Sequence, residues 1–190
     1  MQHLNIFKAT LRLIREGRFG TASMAEIAYH AHVTAITAET LFETRDKLIS
    51  ALSEYVYNEL NTIIRVALNS KAPFDEKFFR LWDALFSYYA DNPDVAVFID
   101  RCTGSPRCTE TLLAHENENR AHLARFFAES GLPHAAVTPA MMATIFHQTI
   151  RVAARNGNNE NRDMSSALAQ IIFEGFRSEI EPSQKSLEAA

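Results

Sequence analysis

Between Ser23 and Lys47 the chain concentrates groups able to hold a polyanion and read its bases. Hydroxyls stand at Ser23, Thr34, Thr37, Thr40 and Thr44, a carboxylate at Glu39, and cations at Arg45 and Lys47. Hydroxyls and cations hydrogen-bond phosphate oxygens, whereas a carboxylate repels them and instead accepts a hydrogen bond from the amino group of cytosine. Residues 34–42 contain no Lys or Arg. Attraction to nucleic acid in this stretch therefore rests on Arg45, Lys47 and the backbone N–H groups at helix starts. Over residues 1–60, six basic side chains (Lys8, Arg12, Arg15, Arg18, Arg45, Lys47) meet seven acidic ones (Glu16, Glu26, Glu39, Glu43, Asp46, Glu54, Glu59), so this region has no net positive charge.

Other chemistry-bearing residues are less suggestive. His115 and His122 lie seven residues apart, with Glu116 and Glu118 between them. Helical metal pairs sit one turn apart, so no metal site is expected. Cys102 and Cys108 flank a Thr103-Gly104-Ser105-Pro106 loop and read as two inert thiols. There is no Gly-x-Ser-x-Gly elbow, no phosphate-cradling glycine loop and no His-Glu-x-x-His motif. The chain is accordingly expected not to be an enzyme, with no catalytic residues and no cofactor. Aromatic residues crowd the middle of the chain at Phe78, Phe79, Trp82, Phe86, Tyr88, Tyr89, Phe98, Phe126 and Phe127, with Met141, Met142 and His147 further on. Aromatics at helical spacing are usually core, and an apolar pocket between helices is the second reading.

The elements that must position these groups read as helices throughout. Of the 190 residues, 47% are hydrophobic and 10% aromatic, with 6 Gly, 6 Pro and a net charge of −4. That is a globular, helix-leaning composition without a basic coat. Neither a signal segment nor a run of about 18 apolar residues is present, so a soluble, cytoplasmic protein is expected, with no membrane contact. Leu4, Phe7, Leu11 and Ile14 mark a first helix stopped by Gly17. Ser23 and Glu26 form a capping box for a second short helix carrying Met24, Ile27 and Ala28. Thr34 caps a third helix to about Phe42, and Thr44 a fourth that runs through Leu48, Leu52, Val56, Leu60 and Ile64. The second and third helices, joined through Ala31, His32 and Val33, have the dimensions of a helix-turn-helix.

Further helices are expected over 74–92, about 94–100, about 107–130, 139–155 and 163–180, with a polar tail at 182–190 and no strand or repeat. The helices at 139–155 and 163–180 mix Ala140, Ala143, Ala153, Ala154, Ala167 and Ala169 with Phe146, Ile150, Leu168, Ile171, Ile172 and Phe176. Small and large residues in this mixture suit close packing, either within the chain or in a four-helix bundle made with a second copy.

The stretch 9–52 resembles the N-terminal domain of the TetR family of transcriptional regulators. The residues that carry the likeness are Ala9-Thr10-Leu11-Arg12-Leu13-Ile14, Arg18-Phe19, Ala22-Ser23-Met24-Ala25-Glu26-Ile27-Ala28, Ala31-His32-Val33-Thr34 and Phe42-Glu43-Thr44-Arg45-Asp46-Lys47-Leu48. The resemblance implies an all-α protein with a head at 1–50, a ligand-binding and dimerising body at 51–181 and a flexible tail. It implies a homodimer that pairs through 139–155 and 163–180 and acts as a regulator, more often a repressor, on a pseudo-palindromic operator. A small apolar or aromatic ligand would modulate it. Ser23, Thr34, Ala35, Thr37, Ala38, Glu39, Thr40, Thr44, Arg45 and Lys47 would face DNA, with Arg45 on a phosphate-contacting position. Phe78, Trp82, Phe86, Tyr89, Phe98, Phe126, Met142 and His147 would line the effector pocket. The chain departs from the family at His32 and Ile36, where Gly is usual, at Ala35, where a basic or small polar residue is usual, and at Glu39, where an aromatic residue is usual. These departures leave a second expectation: the same fold with altered or lost DNA binding, serving as a coactivator or protein-binding module.

Overall fold

The structure is a computed structural model that describes residues 1–18, 20–103, 110–131, 137–156 and 162–178. Among the described residues there are nine helices and no strand: α1 (Gln2–Arg15), α2 (Met24–His30), α3 (Ala35–Phe42), α4 (Arg45–Leu68), α5 (Phe74–Asp91), α6 (Pro93–Thr103), α7 (Glu110–Ala128), α8 (Pro139–Asn156) and α9 (Arg162–Ser178). The all-α class expected from the sequence is the observed one. The loop at 104–109 with Cys108, the stop at Gly157 and the tail at 182–190 lie outside the described residues. None of the described helices is long and apolar enough to cross a membrane.

Local chemistry sets the ends of these helices. Gly17, at φ +87°, lets the Arg18 N–H reach the Leu13 carbonyl (2.9 Å) and its own N–H reach that of Ile14 (3.1 Å), which closes α1. Thr138 accepts from the Met141 N–H (3.3 Å) ahead of Pro139, where the missing N–H costs nothing in the first turn. Pro93 opens α6 in the same way, directly after α5 ends at Asp91.

The described residues group into two compact units: Met1–Glu59 with Asn92–Glu116, and Leu60–Asp91 with the chain from Asn117 onward. In the first, α6 packs along α1, and Arg15 pairs with Asp94 at 2.9 Å. Its core is Ile6, Leu13, Ile14, Ile27, Leu48, Leu52 and Val56, all at most 2% exposed. Burying each such side chain stabilises by about 1.5–3 kcal/mol. Phe42, at the end of α3, packs against Phe7 and His3 with ring centroids 5.5 and 5.4 Å apart.

In the second unit α5 packs against α8 and α9. Phe78 and Trp82 are wholly buried, with Phe78 centred 5.0 Å from Phe146 and 5.1 Å from Phe173, and Trp82 5.5 Å from Phe146. The two contacts with Phe146 are edge-to-face and add to the area term. Two polar rims complete the core: the Trp82 indole N–H donates to the Ser165 hydroxyl (2.9 Å), and the Tyr89 hydroxyl bonds His147 Nε2 (2.7 Å).

Candidate nucleic-acid interface

Three hydroxyl caps and two left-handed residues build the helix pair. Ser23 accepts from the Glu26 N–H (3.2 Å) and starts α2. The Glu26 carboxylate is engaged by the Arg18 guanidinium near the end of α1, so of the expected capping box the serine half forms and the glutamate half is given to an ion pair. After its seven residues α2 closes through His32 at φ +56°, with the His32 N–H on the Tyr29 carbonyl (3.1 Å) and the Val33 N–H on that of Ala28 (3.0 Å). This is the same closure that Gly17 makes for α1, made here by a residue with a side chain. Histidine tolerates the left-handed region better than most residues, at a cost a glycine would not carry.

Thr34 then accepts from the Thr37 N–H (3.1 Å), and the Thr34 and Thr37 hydroxyls bond each other (2.8 Å). At the far end of α3, Glu43 takes φ +58°, ψ −55°, and the Thr44 N–H reaches back to the Phe42 carbonyl at 2.6 Å. That is a γ-turn of the rare, strained hand. It allows Thr44 to cap α4 through the Lys47 N–H (3.3 Å).

The resulting surface differs from the expected one in three places. Ala38 is fully buried, on the inner side of α3 with Phe42. Ala35, Thr37 and Arg45 are half-buried, while Ser23, Thr34, Glu39, Thr40, Thr44 and Lys47 are exposed. Ile36 and Tyr29 are 75% and 77% exposed and stand out as bare apolar side chains of the head. Tyr29 falls outside the apolar stripe of Met24, Ile27 and Ala28, which was the available signal for its exposure. Ile36 lies one turn before the equally outward Thr40. Charge is damped as well, since Lys47 pairs with Glu43 (2.5 Å), and Arg15 and Arg18 are held by Asp94 and Glu26. Arg15, Arg18 and Lys47 thus have carboxylate partners.

The residues expected around an effector are buried but divided between the units. Phe78, Trp82, Phe86, Tyr89, Phe126, Met142 and His147 belong to the second unit, and Phe98 to the first. Met141, one residue before buried Met142, is 50% exposed. Also in the second unit, Asn119 is 1% exposed, and neither end of its carboxamide has a hydrogen-bond partner. His115 stacks on Tyr57 at 5.8 Å, and Glu116 accepts the Tyr57 hydroxyl at 2.8 Å, which gives both a place in the first unit's packing. Along α8 and α9 a chain of apolar side chains remains uncovered: Met141, Ile145, Val152, Met164 and Ile171 are 38–65% exposed. Val152, Met164, Leu168 and Ile171 border an open apolar groove of about 490 Å³ between these two helices.

No protein-family profile matches the chain. A curated protein of Haemophilus influenzae, described as an uncharacterised HTH-type transcriptional regulator, is 24% identical over 129 residues, which span 63% of this chain and 69% of that protein. A bacterial regulatory protein of the TetR family from Rhodococcus RHA1 superposes with a TM-score of 0.76 at 15% identity, covering 92% of this chain and 96% of its own. The transcriptional regulator FadR from Bacillus subtilis, solved in complex with stearoyl-CoA, superposes with a TM-score of 0.71 at 18% identity, covering 94% and 99%. With α2 and α3 joined by a tight turn near its N-terminus and, among the described residues, six further helices after α3, the chain has the fold of the TetR-family transcription regulators.

Proposed function

We propose that the chain is a homodimeric, ligand-responsive transcriptional regulator, acting in the cytoplasm, whose two α3 helices occupy successive major grooves of a pseudo-palindromic operator. Repression is the expected output. The observation that carries this reading is the α2–turn–α3 unit: closed at His32, capped at Thr34, and presenting Ile36, Glu39 and Thr40 outward while Ala38 and Phe42 anchor it. Arg45, Lys47, Ser23, Thr34 and Thr44 are the proposed phosphate contacts, with Lys47 exchanging Glu43 for a phosphate. Two-fold pairing of α8 and α9 would bury the apolar row from Met141 to Ile171, an exposed patch of the kind that marks an association surface.

The effector is proposed to bind in the second unit, as an apolar or aromatic molecule carrying one polar group. Buried amides are almost always satisfied, and the Asn119 carboxamide leaves both its donor and its acceptor to be met by such a group. FadR is seen with a fatty acyl thioester, which fits an apolar effector class. α4 contributes Arg45–Glu59 to the first unit and Leu60–Leu68 to the second, so a ligand-biased shift of its second half reaches the start of the DNA-contacting segment through continuous helix. Genomic-fragment selection with the full chain, followed by binding measurements across salt concentrations, tests the reading. Sequence-selective binding supports it, and no affinity even at low salt contradicts it.

A second reading is favoured by the bare Tyr29 and Ile36 and by the ion-paired cations: a head of the same fold that contacts a protein and works as a coactivator. In that case the α8–α9 dimer would persist without any operator.

A further inference from the structure

We propose that the exposed face of α3 reads a thymine through Ile36 and an adjacent cytosine through Glu39, so that each half-site is recognised by a methyl group and an amino group more than by its phosphates. This rests on the DNA-binding reading above. Ile36, Glu39 and Thr40 stand at i, i+3 and i+4, one face of an eight-residue helix whose opposite side is fixed by Ala38 and Phe42. Neither folding nor solubility accounts for an isoleucine there. It is 75% exposed, touches no core, and as a β-branched residue is a poorer helix former than the charged residues such a position usually holds.

Against the major groove the same side chain has a partner. Thymine is the one base that presents a methyl group there, and apolar side chains contact it. Glu39, also exposed, carries only acceptors, and in the major groove the amino group of cytosine is a donor that carboxylates bond. Three helical residues advance about 4.5 Å along the axis, against a base step of about 3.4 Å, which places the two contacts on neighbouring base pairs. The electrostatics point the same way. α3 bears no cation, Lys47 is held by Glu43, and over residues 1–60 seven acidic against six basic side chains leave the region without the field that phosphate-dominated binding requires. Discrimination must then come from base edges.

The test uses the full chain and duplex DNA selected from a random pool. The selected half-site should contain a thymine next to a cytosine. Replacing that thymine by uracil removes only the methyl group. It should weaken binding by about fourfold per half-site and about fifteenfold when both halves are changed, which is about 0.8 kcal/mol per buried methyl-sized group. Ile36→Ala should bind the thymine and uracil duplexes equally, and Glu39→Gln should lose the preference at the cytosine alone. Both side chains are exposed, so the variants should unfold at the wild-type midpoint. If an operator is selected but uracil is discriminated equally by wild type and Ile36→Ala, the Ile36 assignment is wrong while the DNA reading stands. If no sequence is selected, the DNA reading itself falls.

Discussion

The head and the aromatic core of the second unit use similar residues to opposite ends. On α5, Phe78 and Trp82 are wholly buried and clasped by rings from α8 and α9, whereas at the helix pair Tyr29 and Ile36 leave three quarters of their surface in water. In the first case large apolar side chains hold the fold together, and in the second they are surface features the fold does not need. Exposure, and not residue type, separates the groups that stabilise this chain from those proposed to recognise a partner.

The contrast breaks most sharply under truncation. Phe78→Ala should destabilise by about 3–5 kcal/mol, and Tyr29→Ala by no more than about 0.5 kcal/mol, as read from denaturant unfolding. Comparable losses from both would mean that Tyr29 is covered in solution. Ile171→Glu, which sets like charges on the α8–α9 face, should convert a dimer to monomers in sedimentation at micromolar protein without lowering helix content. A variant that stays dimeric would move the interface elsewhere. His32→Gly should stabilise by about 1 kcal/mol by relieving the left-handed histidine, and no gain would show that the turn carries no strain.

A smaller effect lies at alkaline pH. The Tyr55 hydroxyl donates to the Glu59 carboxylate at 2.5 Å, and this bond, helped by burial and by the carboxylate's charge, pushes its pKa up to about 12. A raised pKa keeps the proton in the folded state, so the contribution is intact below the ordinary value of about 10 and is lost as pH rises towards 12. Tyr55→Phe should flatten that alkaline decline in the unfolding midpoint, and an unchanged slope would place its origin elsewhere.

Much of this was legible in the sequence because it is encoded locally. Ser23, Thr34 and Thr44 cap the helices they were expected to cap, Thr138 caps α8 in the same manner, and Gly17 and Gly131 take the left-handed conformation at helix ends. Hydroxyl caps and glycine stops act within a turn of the chain, so spacing alone reveals them. What periodicity cannot encode is the neighbour. Phe98 was grouped with Phe78 and Trp82 around an effector, whereas it belongs to the first unit, in which α6 packs along α1. Ala38 was set among the DNA contacts by resemblance, although its side chain is enclosed under α3. Small residues give a weak period, and eight residues make barely two turns. Met141 and Met142 show the same limit, because adjacent helical residues lie about 100° apart and only packing decides which is covered.

The proposal at stake is that an N-terminal region without net positive charge over residues 1–60 still reads DNA, with Arg45 and Lys47 as its principal cationic phosphate contacts. The most direct measurement is the salt dependence of operator binding by the full chain, as the proposed dimer. Two such contacts per head predict a slope of log K against log salt of about −4, and Arg45→Ala should bring it to about −2 while weakening every sequence alike. Binding that shows no sequence preference at any salt concentration, or a slope that Arg45→Ala leaves unchanged, would contradict the account.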